Sequence, residues 1–143
     1  MSHTRLGLML ATAIAFAAPA IAHAELVDFK ATLSGASEVP ATTSTGTGDA
    51  LITLDTATKK ISYTVTYIGL TGPAAAGHIH GPALPGANAG VLIPFASAAS
   101  PVVGTATLTD AQVADMMAGK FYVNFHTAAN KGGEIRGQIV KSK

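Results

Sequence analysis

Nine residues, Lys60-Ile61-Ser62-Tyr63-Thr64-Val65-Thr66-Tyr67-Ile68, constrain this chain more than any other stretch. Ile61, Tyr63, Val65 and Tyr67 alternate with Ser62, Thr64 and Thr66. A period of two puts the apolar set on one face of a strand and would scatter it around a helix. Upstream, Ala50-Leu51-Ile52-Thr53-Leu54 also reads as a strand, and Asp55 to Lys59 supplies turn chemistry between the two. The pair is therefore predicted to form a hairpin. An isolated hairpin is marginal in water, so its apolar face has to be covered by further strands.

The remaining segments supply them. Leu26 to Leu33 alternates imperfectly and reads as a first strand, stopped by the Gly35 and Pro40 punctuation of Ser34 to Pro40. Ala41 to Gly48 is a Thr/Ser/Gly loop, expected to be a solvated connection. Ala74 to Gly81 reads as a short strand, Pro82 to Gly90 as a loop, and Val91 to Phe95 as a brief strand that Pro94 restricts to an edge. Val102 to Leu108 is a weak strand.

One helix is predicted, about residues 109–119. Thr109-Asp110-Ala111-Gln112 matches a capping box, and Gly119 is placed to end it. Val113, Met116 and Met117 are expected to share its core face. Phe121 to Thr127 and Glu134 to Val140 then form a second hairpin. Phe121, Val123 and Phe125 must point to the core with Ile135 and Ile139. That leaves Tyr122, Asn124 and His126 on a polar surface with Glu134, Arg136 and Gln138. Short strands, turn signals and one short helix, without strand–helix alternation, define an all-β fold, an antiparallel sandwich or flattened barrel.

Composition narrows the setting. Arg5, the apolar run Leu6 to Ala18, Pro19 and Ala22-His23-Ala24 match a signal peptide over residues 1–24, leaving a domain over 25–143. A second cut fits after Ala22 and would make His23 the new N-terminus. The apolar run is too short to span a bilayer comfortably, and no later segment is long enough. The chain is thus expected to be exported, periplasmic or extracellular, with no transmembrane span in its mature form. There is no cysteine, so disulfides and thiolate metal sites are excluded. A formal net charge of +1 provides no basic field for nucleic acid.

The chemistry concentrates in histidine. Gly77-His78-Ile79-His80-Gly81-Pro82 sets two imidazoles at i and i+2, on one face of a strand, with Ile79 turned to the core. His126 lies on the non-core face of its own strand. If the two strands are neighbours, three imidazoles converge, a donor set suited to Zn(II) or Cu(II). A fourth ligand would be water, Glu134, or His23 with the terminal amine. Histidines that only hydrogen-bond the backbone of a Gly/Pro-rich loop are the plainer alternative. Glu134 and Arg136 read either as a surface ion pair or, with a liganded His126, as partners that orient an imidazole; Asn124 joins them behind the ligands. Glu38 reads as a loop cap. No nucleophile elbow or phosphate loop is present.

Taken in order, four stretches resemble the CHRD domain family, named for its repeats in chordin, an extracellular antagonist of bone morphogenetic proteins. They are Phe29-x-Ala31-x-Leu33-Ser34-Gly35-x-x-Glu38-Val39-Pro40, Gly77-His78-Ile79-His80-Gly81-Pro82-Ala83, Gly119-x-x-Tyr122-Val123-Asn124-Phe125-His126-Thr127 and Gly132-Gly133-Glu134-Ile135-Arg136-Gly137-Gln138. The resemblance, to a stand-alone bacterial exported member, covers residues 26 to 140. It implies an extracytoplasmic, immunoglobulin-like, Greek-key β-sandwich and no particular activity. Growth-factor binding does not carry over, because the cysteine-rich modules of chordin are missing. A looser likeness to copper/zinc superoxide dismutase rests on the His-x-His and later His. The chain lacks that enzyme's cysteine pair and an evident zinc subsite.

The resulting expectation is a non-enzymatic exported binding module with a solvent-facing Cu or Zn site at His78, His80 and His126, and Glu134, Arg136 and Asn124 behind it. A protein or glycan partner stays open. The alternatives are a structural or adhesive β-sandwich without metal and, less favoured, a dismutase-like copper enzyme.

Overall fold

The computed structural model describes residues 24–143. Residues 1–23 of the predicted leader, His23 included, lie outside the described residues. The chain forms β1 (Leu26–Ser34), a 3-10 turn (Gly35–Ser37), β2 (Thr47–Asp55), β3 (Lys60–Ile68), β4 (Ala74–His80), β5 (Val91–Pro94), β6 (Val102–Thr107), α1 (Asp110–Met117), β7 (Tyr122–Thr127), β8 (Ile135–Gln138) and β9 (Val140–Lys141).

All strand pairs are antiparallel, in the order β5-β4-β7-β8-β1-β2-β3-β6, with β9 also paired to β1. The sheet divides into two halves, β5-β4-β7-β8 and β1-β2-β3-β6. Between them β8 meets β1 at one register pair, Ser34↔Arg136. The halves fold over each other there into a nearly closed, sandwich-like barrel.

Alternation decides which residues fill the space between the halves. Val27, Phe29, Ala31 and Leu33 of β1 are buried, as are Ile61, Tyr63 and Val65 of β3. Ile79, Val123, Phe125 and Ile135 face them from the other half. Complete burial of a Phe, Leu or Ile contributes about 1.5–3 kcal/mol each. The Phe125 ring lies 4.7 Å from Tyr67 and 5.8 Å from Phe95, centroid to centroid. Gly77 is its cross-strand partner, and a Cβ there would come within 2.5 Å of a Phe125 ring carbon. That packing accounts for the glycine immediately before His78.

The β2–β3 hairpin pairs in register from Thr47↔Ile68 to Asp55↔Lys60, three residues longer at the start of β2 than its alternation predicts. β5 ends the sheet on one side with Pro94, and β6 ends it on the other. The helix is capped as expected: Gln112 N–H donates to Thr109 Oγ1 (3.2 Å), and Thr109 N–H donates to Gln112 Oε1 (2.9 Å). Its apolar face is narrower than predicted. Met116 is buried, but Met117 is 43% exposed. Adjacent positions lie about 100° apart on a helix, and a short helix docked along one edge seats only one of them. No helix among the described residues is long and apolar enough to cross a membrane.

Candidate metal centre

The condition for convergence is met: β4 and β7 are neighbours. His78 lies opposite Asn124, His80 opposite Tyr122 and Ala76 opposite His126. Ile79 between the two histidines is fully buried, so His78 and His80 turn to the other face. One ligand atom from each of His78, His80 and His126 can be chosen so that all three lie within 4.8 Å of one another. His78 Nδ1 is 3.2 Å from His126 Nε2. Both rings of the pair meet His78 edge-on, with centroids 5.3 Å (His80) and 5.0 Å (His126) away.

Backbone carbonyls set the tautomers. His80 Nδ1 lies 3.0 Å from Ala89 O, and His126 Nδ1 lies 2.9 Å from Lys131 O. A carbonyl only accepts, so each Nδ1 carries the proton and each Nε2 presents its lone pair. Burial holds the pKa of His78 below the usual imidazole range, helped by His126 and His80. Burial also lowers that of His80, against the stabilising carbonyl of Ala89. Both imidazoles are therefore neutral and able to ligate at neutral pH.

This face of the sheet is only partly open to solvent: His78 and His126 are half-buried. His80 is 7% exposed, and Tyr122, Asn124, Glu134 and Arg136 are all buried. Two loops cover part of it. In the loop 82–90, Ala89 O accepts from His80 Nδ1 and from Tyr122 OH, while Asn88 accepts from Arg136 Nη1 (3.1 Å) and donates to Val39 O (2.8 Å). The loop 38–46, which overlaps the Ala41-to-Gly48 stretch expected to be a solvated connection, sends Ser44 and Thr42 down to Glu134. Alternation marks a face as polar; it does not record that distant loops will close over it.

Glu134 and Arg136 share that face but do not form the surface ion pair that their spacing suggests. Glu134 is completely buried and accepts hydrogen bonds from Ser44 Oγ (2.7 Å), Thr71 N (2.7 Å), Thr71 Oγ1 (2.7 Å), Thr127 Oγ1 (2.5 Å) and Asn130 Nδ2 (3.2 Å). Burial alone would raise its pKa, but the donors of Thr127, Ser44 and Thr71 hold it at about 2. Its partners are these donors rather than an imidazole. Arg136 lies with Cζ 3.5 Å from the Tyr122 ring centroid and reaches Asn88 and Gln138. Tyr122 in turn stacks parallel to His80, centroids 4.8 Å apart. Asn124 is the one of the three that touches the imidazoles: its Oδ1 is 2.9 Å from His80 Nε2 and 3.1 Å from His126 Nε2.

Glu38, read from the sequence as a loop cap, has its carboxyl turned inward beside Arg136 and Asn124, with the Val39 backbone N–H near it and Oε1 unpartnered. Burial raises its pKa to about 7 against the pull of Arg136. It rests against Gly133, whose backbone has φ +128° and where any Cβ would overlap the carboxyl. No local signal in Ser37-Glu38-Val39-Pro40 announces this, because Gly133 and Arg136 are almost a hundred positions away.

The fold and the site together define an all-β module with a three-imidazole cluster on the polar face of β4 and β7, beside the loop 82–90. Residues 29–139 match the family profile described as CHRD domain, and the chain belongs to that family. CHRD domains are extracellular and generally binding modules. Searches of curated proteins and of solved structures gave no match.

Proposed function

We propose that this chain is an exported binding module that holds one Cu(II) or Zn(II) ion on His78, His80 and His126. The observation that carries the reading is the pair of carbonyl-fixed tautomers. Ala89 O and Lys131 O each engage an Nδ1, which aims the lone pairs of His80 Nε2 and His126 Nε2 at the same region that His78 Nδ1 enters. Histidine ligands in metal sites are typically oriented by such contacts to their second nitrogen. Three imidazoles without a thiolate suit Zn(II) or Cu(II). An extracytoplasmic setting is supported by family membership and by the Arg5-to-Ala24 leader pattern.

The test is metal content of the mature protein purified without a histidine tag, followed by titration with Cu(II) and Zn(II), wild type beside the His78/His80/His126 triple alanine. Stoichiometric binding in the wild type and none in the variant is expected. A folded wild-type protein that binds neither ion leaves the imidazoles as loop fasteners, the role their contacts with Ala89 and Lys131 also serve.

A further inference from the structure

The two ends of the sheet are protected to different degrees. β5 is four residues long and carries Pro94, and shortness and proline both keep an edge strand from pairing with another chain. β6, Val102-Val103-Gly104-Thr105-Ala106-Thr107, is longer and holds no proline and no charged residue. Its register with β3 runs from Lys60↔Thr107 to Val65↔Val102 without a bulge. We propose that β6 is a self-association edge: two copies of this chain pair their β6 strands antiparallel across a two-fold axis and join their half-sheets into one. No ion at the imidazoles is needed for it.

The ladder with β3 fixes which backbone groups are free. Leu108 N–H donates to Lys59 O (2.9 Å). Bonded residues alternate in an antiparallel ladder, so Ala106, Gly104 and Val102 also turn their N–H and C=O to β3. Those of Val103, Thr105 and Thr107 point the other way, and β6 is the last strand of the sheet on that side. No loop among the described residues bonds them. All three residues are exposed, Val103 to 72%.

The strand is complementary to itself. With the axis at Thr105, that residue lies opposite its counterpart, and Val103 lies opposite Thr107 of the second copy. Every outward residue of one strand then meets an outward residue of the other, and the facing side chains are all β-branched, as favourable cross-strand pairs are. Pairing also covers the open flank of Val103. Charge selects the antiparallel sense. Lys59, Lys60 and Asp110 cluster at the Thr107 end of β6. The segment before it, Phe95 to Pro101, has no charged residue. Antiparallel pairing sets each charged end beside an uncharged one, whereas parallel pairing would bring lysine against lysine. A formal net charge of +1 adds little repulsion between copies at longer range.

The experiment is sedimentation equilibrium of the mature protein over a concentration series in EDTA, so that no ion bridges copies, paired with residue-resolved amide exchange. The wild type is expected to pass from monomer to dimer as concentration rises, with exchange at Val103, Thr105 and Thr107 slowing in step. Thr105→Pro removes an N–H that no intramolecular bond uses, so it should fold and stay monomeric. Thr105→Lys and Thr105→Glu set like charges face to face at the axis and should each be monomeric, while an equimolar mixture of the two should recover the dimer. That recovery requires this position to face itself, and it decides the question even where Thr105→Pro fails to fold. A wild type that stays monomeric at its highest soluble concentration would overturn the proposal. So would a dimer that persists in Thr105→Lys and Thr105→Glu taken singly, or a mixture of them that stays monomeric.

Discussion

Glu134 and Glu38 are both buried glutamates on the polar side of the same half-sheet, yet their surroundings drive them in opposite directions. Glu134 is surrounded by donors and Glu38 is short of them. The folded-state pKa of Glu134 is depressed from 4.5 to about 2. Its stabilising contribution is therefore complete above pH 4.5 and is lost as pH falls toward 2. For Glu38 the folded pKa is raised from 4.5 to about 7. The folded state then holds a proton that the unfolded state has released, so stability declines as pH rises from 4.5 to 7. Denaturant melts of the metal-free protein should show both limbs. Glu134→Gln should lose about 3 kcal/mol at pH 7, since an amide places a donor among donors, and should flatten the limb below pH 4.5. In Glu38→Gln the decline between pH 4.5 and 7 should disappear. If its melts keep the wild-type slope, the inward carboxyl is not what titrates there.

At the scale of elements, strands were more legible than loops. A strand carries its burial in its own alternation, so β3 and the inward set of β7 could be read residue by residue. The loops 38–46 and 82–90 carry no such code, because what they cover is fixed by chain far away. Asn88 ties its loop both to Arg136 and to Val39 O. Asn88→Ala is expected to speed amide exchange in residues 82–90 while leaving β1–β3 protected. Equal exchange in wild type and variant would mean that Tyr122 and His80 hold the loop alone. The capping box of α1 was legible because its partners are three residues apart. Thr109→Ala should cost about 1 kcal/mol in a denaturant melt, as the loss of such a cap usually does.

For the whole molecule, the proposed function links ion binding to folding. The three imidazoles come from two strands that are far apart in sequence, so the site exists only in the folded state. Zn(II) or Cu(II) at about a hundred times its Kd should add about 2.7 kcal/mol, read as a rise in Tm that is absent from the His78/His80/His126 triple alanine. An equal rise in that variant would point to binding elsewhere on the chain. The sequence by itself determined the antiparallel strands, the two hairpins, the helix with its cap, and which faces are apolar, because periodicity and capping act over a few residues. It also singled out His78, His80 and His126 by their strand positions. Only the tertiary structure decided that β4 lies beside β7, that two loops cover part of the polar face, and that Glu38 turns inward against Gly133. Those outcomes depend on which distant segments pack together, and no local pattern of side chains encodes that choice.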